Sequence, residues 1–163
     1  MHGALRDHLG SRQVARVIYG SIIGLALIAA LEKHPPSPAI VAGSLVVTAL
    51  GVALAEFYSE AVGIHTRKRR RVRRDEFREI AGESFAVAAG VTFPAVFFVL
   101  ASAGVMETDT AFTLALWSGV GLIAFYGFWA GRLAGDGVAR SLVQALGVGL
   151  IGVLLIGLKS LLH

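Results

Sequence analysis

Two carboxylates lie in an apolar stretch of the chain, directly before a dense block of positive charge. Residues 51–74 read GVALAEFYSEAVGIHTRKRRRVRR, in which Glu56 and Glu60 stand four residues apart. Residues four apart share one face of a helix, so the two carboxylates point the same way, with Ser59 beside them. Ionisable groups are costly in a membrane helix and therefore indicate function. Oxygen ligands of this kind suit a hard or borderline divalent cation, or a relay of protons.

A second pair of carboxylates, Glu79 and Glu83, comes at the start of the next apolar stretch. At about 1.5 Å per residue from the start of their own helix, Glu56 and Glu60 lie about 26 Å and about 32 Å across the bilayer. Both pairs are therefore expected at the cytoplasmic mouth and not at the midplane. The sequence predicts a metal site formed by Glu56, Ser59, Glu60, Glu79 and Glu83.

The same residues also admit a structural interpretation. The arginines of the neighbouring block are within reach of the glutamates, and buried carboxylates usually find cationic partners. In this alternative the glutamates hold the helix ends together and bind no ion. Spacing alone does not decide between the two interpretations.

The composition is typical of a membrane protein. Of 163 residues, 55% are hydrophobic and 16% are charged, and the mean hydropathy is +0.70, which is too apolar for an ordinary soluble domain. The formal net charge of +4 lies beside apolar segments, where anionic lipid is a nearer partner than nucleic acid. Cysteine is absent, which excludes disulfides and zinc–thiolate sites. We expect no nucleic-acid partner.

Five apolar segments are predicted to cross the membrane. Three prolines in residues 35–38 end the first segment, and Pro94 predicts a kink in the third. The predicted fold class is an all-α integral membrane protein, with residues 17–163 as its transmembrane domain. Residues 1–16 precede it as a basic interfacial helix or a disordered tail. The five segments are 17–31, 39–63, 83–105, 111–131 and 141–158.

The distribution of basic residues predicts the orientation of the helices. Thirteen of the fifteen Lys and Arg residues fall on one side of the predicted spans, and only Lys33 and Lys159 fall on the other. Lysine and arginine in short loops stay on the cytoplasmic side, so the N-terminus is expected inside and the C-terminus outside. The excess of Arg over Lys and the short loops favour a bacterial plasma membrane. The basic segment, residues 65–78, is predicted to bind anionic lipid through Arg67, Lys68, Arg69, Arg70, Arg71, Arg73 and Arg74.

Small residues at four-residue spacing indicate where helices pack closely in lipid. The predicted packing glycines are Gly20, Gly24, Gly43, Gly51, Gly63 and Gly149. Residues 147–152 read GVGLIG and match a dinucleotide-binding pattern, but no strand precedes them. Catalytic motifs are otherwise lacking, so we expect no enzymatic activity and no tightly bound cofactor.

The chain resembles the vacuolar iron transporter family, which moves ferrous iron and manganese. Residues 59–63, SEAVG, stand where that family carries a pattern like S-M-A-[IV]-G, and the five spans and the Gly-rich last helix also match. Glu60 takes the place of a metal-binding methionine, and Ile23 that of a metal-binding aspartate. Residues 66–80 are shorter and more basic than the family's Glu-rich domain. The resemblance implies a dimer with Glu56 and Glu60 of both copies facing each other at the two-fold axis.

Three functions are therefore compatible with the sequence. The first is a small divalent-cation transporter, with proton coupling left open, for which the metal ion is the substrate. The second is a passive cation channel formed by an oligomer. The third is a non-transporting membrane protein whose basic segment binds lipid or a cytoplasmic partner. A carboxylate-lined cavity favours the first two, and an ion-pair network that fills the same space favours the third.

Overall fold

The structure, a computed structural model, describes residues 2–70, 72–133, 135 and 137–161. Within them every regular element is an α-helix, which confirms the predicted all-α class. Arg71, one of the predicted lipid-binding residues, lies outside the described residues. The helices are α1 (His2–Leu31), α2 (Pro38–Lys68), α3 (Arg74–Thr92), α4 (Ala95–Ser102), α5 (Thr108–Leu133) and α6 (Val138–Leu161).

Several helices have the length and composition of membrane spans. Among the described residues these are Gln13–Leu31, Pro38–Lys68 and Thr108–Arg132. Helices α3 and α4 add a fourth when they are counted as one broken span. The crossing by α6, over predicted span 141–158, stays a prediction. Large apolar side chains such as Val47, Leu54 and Phe85 are exposed on the outside of the bundle, where lipid would solvate them.

The helix boundaries follow from proline and from local hydrogen bonds. Helix α2 begins at Pro38, because proline is tolerated in the first turn where no N–H partner is needed. The third span breaks at Phe93 and Pro94, where the axis of α4 bends by 46° away from that of α3. Helix α4 ends at Ser102, and the positive φ of 76° at Gly104 allows the Val105 N–H to reach the Leu100 carbonyl at 3.0 Å.

Two elements differ from the sequence prediction. Helix α1 starts at His2 and runs without a break into the apolar span, so residues 2–16 are its first half and not a separate interfacial helix or tail. Helix α2 extends beyond the predicted segment 39–63 into the basic segment and stops at Lys68, followed by Arg69 in a left-handed conformation with φ 46°. The chain turns there because the His65 Nδ1–H donates to the Arg70 carbonyl, 3.1 Å away.

Helices α1 and α3 run parallel and pack at their glycines. A Cβ built on Gly20 would meet the Val87 carbonyl oxygen, and one built on Gly24 would lie 3.0 Å from the Val91 carbonyl oxygen. Both contacts join residues 67 positions apart, as does the ion pair between Arg16 and Glu83. Gly20 and Gly24 therefore let the backbones of α1 and α3 approach closely, with residues of α1 level with residues 67 positions later in α3.

The apolar core lies at the opposite end of the bundle from that ion pair. It joins α1, α2, α4 and α5 through fully buried side chains such as Ile28, Leu45, Phe98 and Phe112. Phe98 and Phe112 meet edge to face, with ring centroids 4.8 Å apart. Helix α3 joins the same core through Val91, and α6 packs on α5. The core thus fixes the helices at one end, whereas the other end combines charged contacts with a few buried apolar side chains such as Ile64 and Ile80.

The glycine contact between α1 and α3 predicts that substitution by alanine destabilises the protein more at Gly20 than at Gly43. Gly20→Ala places a methyl group against the backbone of α3 and should destabilise the protein by about 1–3 kcal/mol. Gly43→Ala is the matched control, because nothing lies within 4 Å of its Cβ position. Both substitutions replace glycine by alanine within a helix, so both gain the same helix propensity. Thermal unfolding in detergent measures the difference, and equal melting temperatures would contradict the α1–α3 contact.

Candidate cation site

Charged side chains from three helices meet at one end of the bundle. The glycine contacts between α1 and α3 bring Arg16 of α1 level with Glu83 of α3. Helix α2 packs against α3, so that Glu56 and Glu60 lie at the same level. An edge-to-face contact between Phe57 and Phe77, with centroids 5.0 Å apart, holds α2 against α3 there. We call this region the charged end, comprising Arg16, Glu56, Glu60, Arg67, Glu76, Glu79 and Glu83.

Arg16 bridges two carboxylates that come from two other helices. Its Nη1 forms an ion pair with Oε1 of Glu56, and its Nη2 donates to Oε2 of Glu83 at 3.0 Å. The side chains of Arg16, Glu56 and Glu83 are 29%, 19% and 9% exposed, so little water screens them. The bridge ties α1, α2 and α3 together.

Glu60 forms a weaker pair within its own helix. Arg67 Nη2 donates to Glu60 Oε1 at 3.1 Å, but the two side chains are 65% and 36% exposed. Ion pairs this open contribute about 0–1 kcal/mol to stability. Gly63 lies between them, and a Cβ there would stand 3.1 Å from Arg67 Nη1. This glycine therefore makes room for the Arg67 side chain of its own helix.

Glu76 binds residues of the basic segment to the start of α3. Its carboxylate accepts hydrogen bonds from Lys68 Nζ at 2.7 Å, from both terminal nitrogens of Arg70 at 2.9 and 2.7 Å, and from the Arg73 N–H at 2.9 Å. The hydrogen bonding that the Arg70 guanidinium donates to Glu76 is the main cause that raises the pKa of Arg70 above its ordinary value. A carboxylate in the first helical turn also offsets the positive end of the helix dipole. The loop between α2 and α3 is thereby held in place.

Two cavities open between these side chains. The first, of about 280 Å³, lies between α2 and α3, and the second, of about 400 Å³, extends toward α1. Glu60, Arg67 and Glu83 line both. Glu76 and Glu79 also line the first, and Arg16 and Ala15 line the second. The ion-pair network therefore leaves open space beside its carboxylates and does not fill it.

The five predicted metal ligands have different surroundings. Glu60, Glu79 and Glu83 line one cavity, whereas Glu56 lines neither cavity and pairs with Arg16 instead. Ser59 is exposed and also lines neither. Within the described part of the chain, no group of three or more His, Cys, Asp or Glu side chains is arranged to hold a metal ion. A complete coordination shell is thus not formed by the described residues of one chain.

Arg16 is a residue of the charged end that the sequence analysis did not predict as part of the site. The structural alternative assigned the glutamates to arginines of the basic segment, which holds for Glu60 and Glu76. Glu56 and Glu83, however, pair with an arginine of α1. Its place at the cytoplasmic edge of the first predicted span puts it at the depth of the carboxylates, and that depth was the available signal.

The predicted lipid-binding residues are divided between exposed and paired side chains. Arg67, Arg69, Arg73 and Arg74 are exposed. Lys68 is exposed and Arg70 is half-buried, and both donate to Glu76, which offsets part of the positive charge of the segment.

The remaining predicted packing glycines lie on α2 and α6. Gly149 of α6 faces α5, where its Cβ would lie 3.6 Å from that of Ala124. Gly43 and Gly51 are exposed on α2, with nothing within 4 Å of either Cβ position. The structure therefore does not place these two glycines at a contact within the chain.

Compared with protein-family models, with curated proteins and with solved structures, the chain has no match in any of the three.

The contacts of Glu76 predict how the loop between α2 and α3 responds to proteolysis. Glu76→Gln removes the charge that holds Lys68 and Arg70, so trypsin should cleave residues 68–74 severalfold faster. Asp75→Asn is the matched control. Asp75 is exposed, and among the described residues it forms an open ion pair with Arg73 at 3.3 Å. Mass spectrometry of timed digests measures both rates. Equal cleavage of the two variants would show that Glu76 does not hold the loop.

Proposed function

We propose that this chain is a membrane transporter for a divalent cation such as Fe²⁺ or Mn²⁺. It works as a dimer in a bacterial plasma membrane, with five crossings and a cytoplasmic N-terminus. One observation carries the proposal: Glu60 of α2 and Glu83 of α3 line the same two cavities at one end of apolar, membrane-length helices. Carboxylates at such a position are expensive unless they serve an ion or a partner.

The chemistry of the cavity suits a hard or borderline cation. Its lining offers carboxylate oxygens, which are preferred by divalent ions such as Mn²⁺, beside the cationic side chains of Arg67 and Lys68. Glu60 is partly exposed and can meet a hydrated ion, whereas Glu83 is buried and would bind it after water is lost. Glu79 lies on the same cavity wall and would receive the ion at the entrance.

A dimer would complete the ligand set that one chain leaves open. Gly43, Gly51, Ala55 and Ser59 are exposed along α2, and small residues at this spacing permit close approach of a second helix. If a second copy of α2 packs there, Glu56 and Glu60 of both chains come near the shared axis. The resemblance to vacuolar iron transporters implies the same arrangement.

A non-transporting membrane protein is the second candidate. It is favoured by the ion pairs at Glu56, Glu60 and Glu76, each of which has a cationic partner in the chain. In this case the glutamates brace the helices, and the exposed arginines of the basic segment bind anionic lipid.

Glu60→Gln separates the two functions, because it keeps the shape of the side chain and removes its charge. If Glu60 binds the ion, Mn²⁺ uptake into proteoliposomes should fall roughly tenfold, equivalent to about 1.4 kcal/mol. Stability should change by only about 0–1 kcal/mol, because the pair with Arg67 is open to solvent. Glu107→Gln is the control, since Glu107 is an exposed carboxylate in the connection between α4 and α5.

Uptake and thermal unfolding are measured on the same preparations. Unchanged uptake with a lower melting temperature would show that Glu60 takes no part in transport. It would favour the alternative in which Glu60 holds the helices together through its ion pair. Accumulation of Mn²⁺ above its external concentration under an imposed pH gradient would identify a coupled transporter. Uptake that always stops at equal concentrations would identify a channel.

A further inference from the structure

An apolar groove runs between α5 and α6. It has a volume of about 640 Å³, and its lining residues, which lie within Val120–Phe128 of α5 and Leu142–Leu150 of α6, are all apolar. A cavity without polar groups does not retain ordered water and accepts apolar ligands. We call it the α5–α6 groove. It lies apart from the charged end, whose residues belong to α1, α2 and α3.

The side chains give this groove a narrow floor and two walls. The floor consists of small residues, Ala124 of α5 with Ala145 and Gly149 of α6, and the Cβ position of Gly149 lies 3.6 Å from Cβ of Ala124. Larger exposed side chains, Phe125 and Leu146, stand on either side. A hydrocarbon chain suits this shape, because it is thin enough to reach the floor and contacts both walls.

The length of the groove matches one half of a bilayer. Val120–Phe128 and Leu142–Leu150 each extend about 12 Å along their helix, compared with about 15 Å for one leaflet of a hydrocarbon core about 30 Å thick. Because α5 ends at Leu133 and α6 begins at Val138, the groove lies in the half of both helices nearer to their connection. It therefore fits an acyl chain of the leaflet on that side.

A positive charge stands at the end of the groove where a lipid headgroup would lie. Arg132 is exposed and follows Phe128 by four residues, so it continues the α5 side of the groove by about one turn. Arg132 also interacts within the protein. Its guanidinium carries five N–H donors, however, so it can bind more than one acceptor. A phosphate oxygen is an acceptor that arginine binds well.

The two ends of the α5–α6 pair differ in charge. Residues 132–140 connect the helices and contain two arginines and one aspartate, a formal charge of +1. The opposite end carries Glu107, Asp109 and Lys159, a formal charge of −1. The orientation proposed above places the positive connection on the cytoplasmic side, where the leaflet carries anionic lipids. Charge and leaflet therefore favour the same occupant.

A second copy of the chain fits this groove less well than a lipid does. In a two-fold dimer formed here between parallel copies, both chains present Arg132 at the same height and toward the same axis. Like charges then face each other across the interface, which disfavours it.

We propose that the α5–α6 groove binds one anionic phospholipid, with an acyl chain between the two helices and the phosphate at Arg132. This site is distinct from the basic segment, because it lies on other helices and takes an acyl chain as well as a charge. It goes beyond the proposed function and does not depend on cation transport.

Native mass spectrometry of the full chain in detergent tests the charge. The probes are phosphatidylglycerol, which is anionic, and phosphatidylcholine, which is zwitterionic, with identical acyl chains. The wild type should retain one phosphatidylglycerol in preference to phosphatidylcholine, and Arg132→Gln should weaken phosphatidylglycerol binding about fivefold. Arg140→Gln is the matched control, since Arg140 is exposed near the same level but lies two residues before Leu142, on another face of α6. Equal affinities of the two variants would refute the headgroup contact.

The acyl chain is tested by filling the groove. Leu146→Trp places an indole in the space of the chain and should weaken binding of both lipids severalfold. Val143→Trp is the control, because Val143 is exposed on the same helix and does not line the groove. Circular dichroism checks the helix content of both variants. Lipid binding by Leu146→Trp that equals that of Val143→Trp would refute the acyl-chain site.

Photolabelling uses only the wild-type protein and so does not depend on the folding of a variant. A phosphatidylglycerol with a diazirine in its acyl chain should label the groove, and unlabelled phosphatidylglycerol should reduce that labelling severalfold. Exposed apolar residues of α2, such as Val47 and Leu54, should show no such competition. Equal competition at all these positions would indicate ordinary solvating lipid and overturn the proposal.

A single introduced cysteine tests whether a second copy occupies the groove instead. The chain has no cysteine, so Leu146→Cys provides the only thiol. Oxidation in liposomes should leave this variant monomeric on a denaturing gel. Disulfide-linked dimers in high yield would place a second copy at the groove and refute the lipid site.

Discussion

The bridge from Arg16 to Glu56 and Glu83 is the contact on which the charged end depends. Charges removed from water require partners, and the cost of leaving one unpaired is several kcal/mol in a protein interior. Three helices must therefore keep their relative heights so that one guanidinium meets two carboxylates. The glycine contacts between α1 and α3 supply that register, because they repeat the same offset along both helices.

The two ends of the bundle are stabilised differently. At one end, Ile28, Leu45, Phe98 and Phe112 interlock four helices in a fully buried apolar core. At the other end the helices meet through ion pairs and the contact between Phe57 and Phe77, and two cavities open between them. Apolar packing is dense and tolerates little movement. Charged contacts beside open space can exchange partners, so an ion could enter at the charged end without disturbing the core.

Much of the helical layout could be predicted from the sequence, because apolar runs and prolines act locally. The break at Pro94 and the start of α2 at Pro38 follow from the missing N–H of proline. Residues 1–16 left two alternatives open, an interfacial helix and a disordered tail, because they are polar and only weakly apolar on one side. The continuity of residues 2–16 with the apolar span appears only in the structure.

The candidate site could be predicted in part. The positions of Glu60, Glu79 and Glu83 follow from their depth, and they line one cavity. Arg16 could not be assigned, because depth along a helix does not reveal which helices are neighbours, and the contact depends on α1 lying against α3. The glycines show the same limit: Gly20 and Gly43 both sit in four-residue patterns of small residues, yet only Gly20 faces another helix.

Crystals of the full chain grown with Mn²⁺ provide the most direct measurement, because anomalous scattering locates the ion without reference to any assay. We expect a peak at the charged end, about 2 to 2.6 Å from carboxylate oxygens that include those of Glu83. A map from such crystals with no anomalous peak near Glu60 or Glu83 would contradict the proposed cation site.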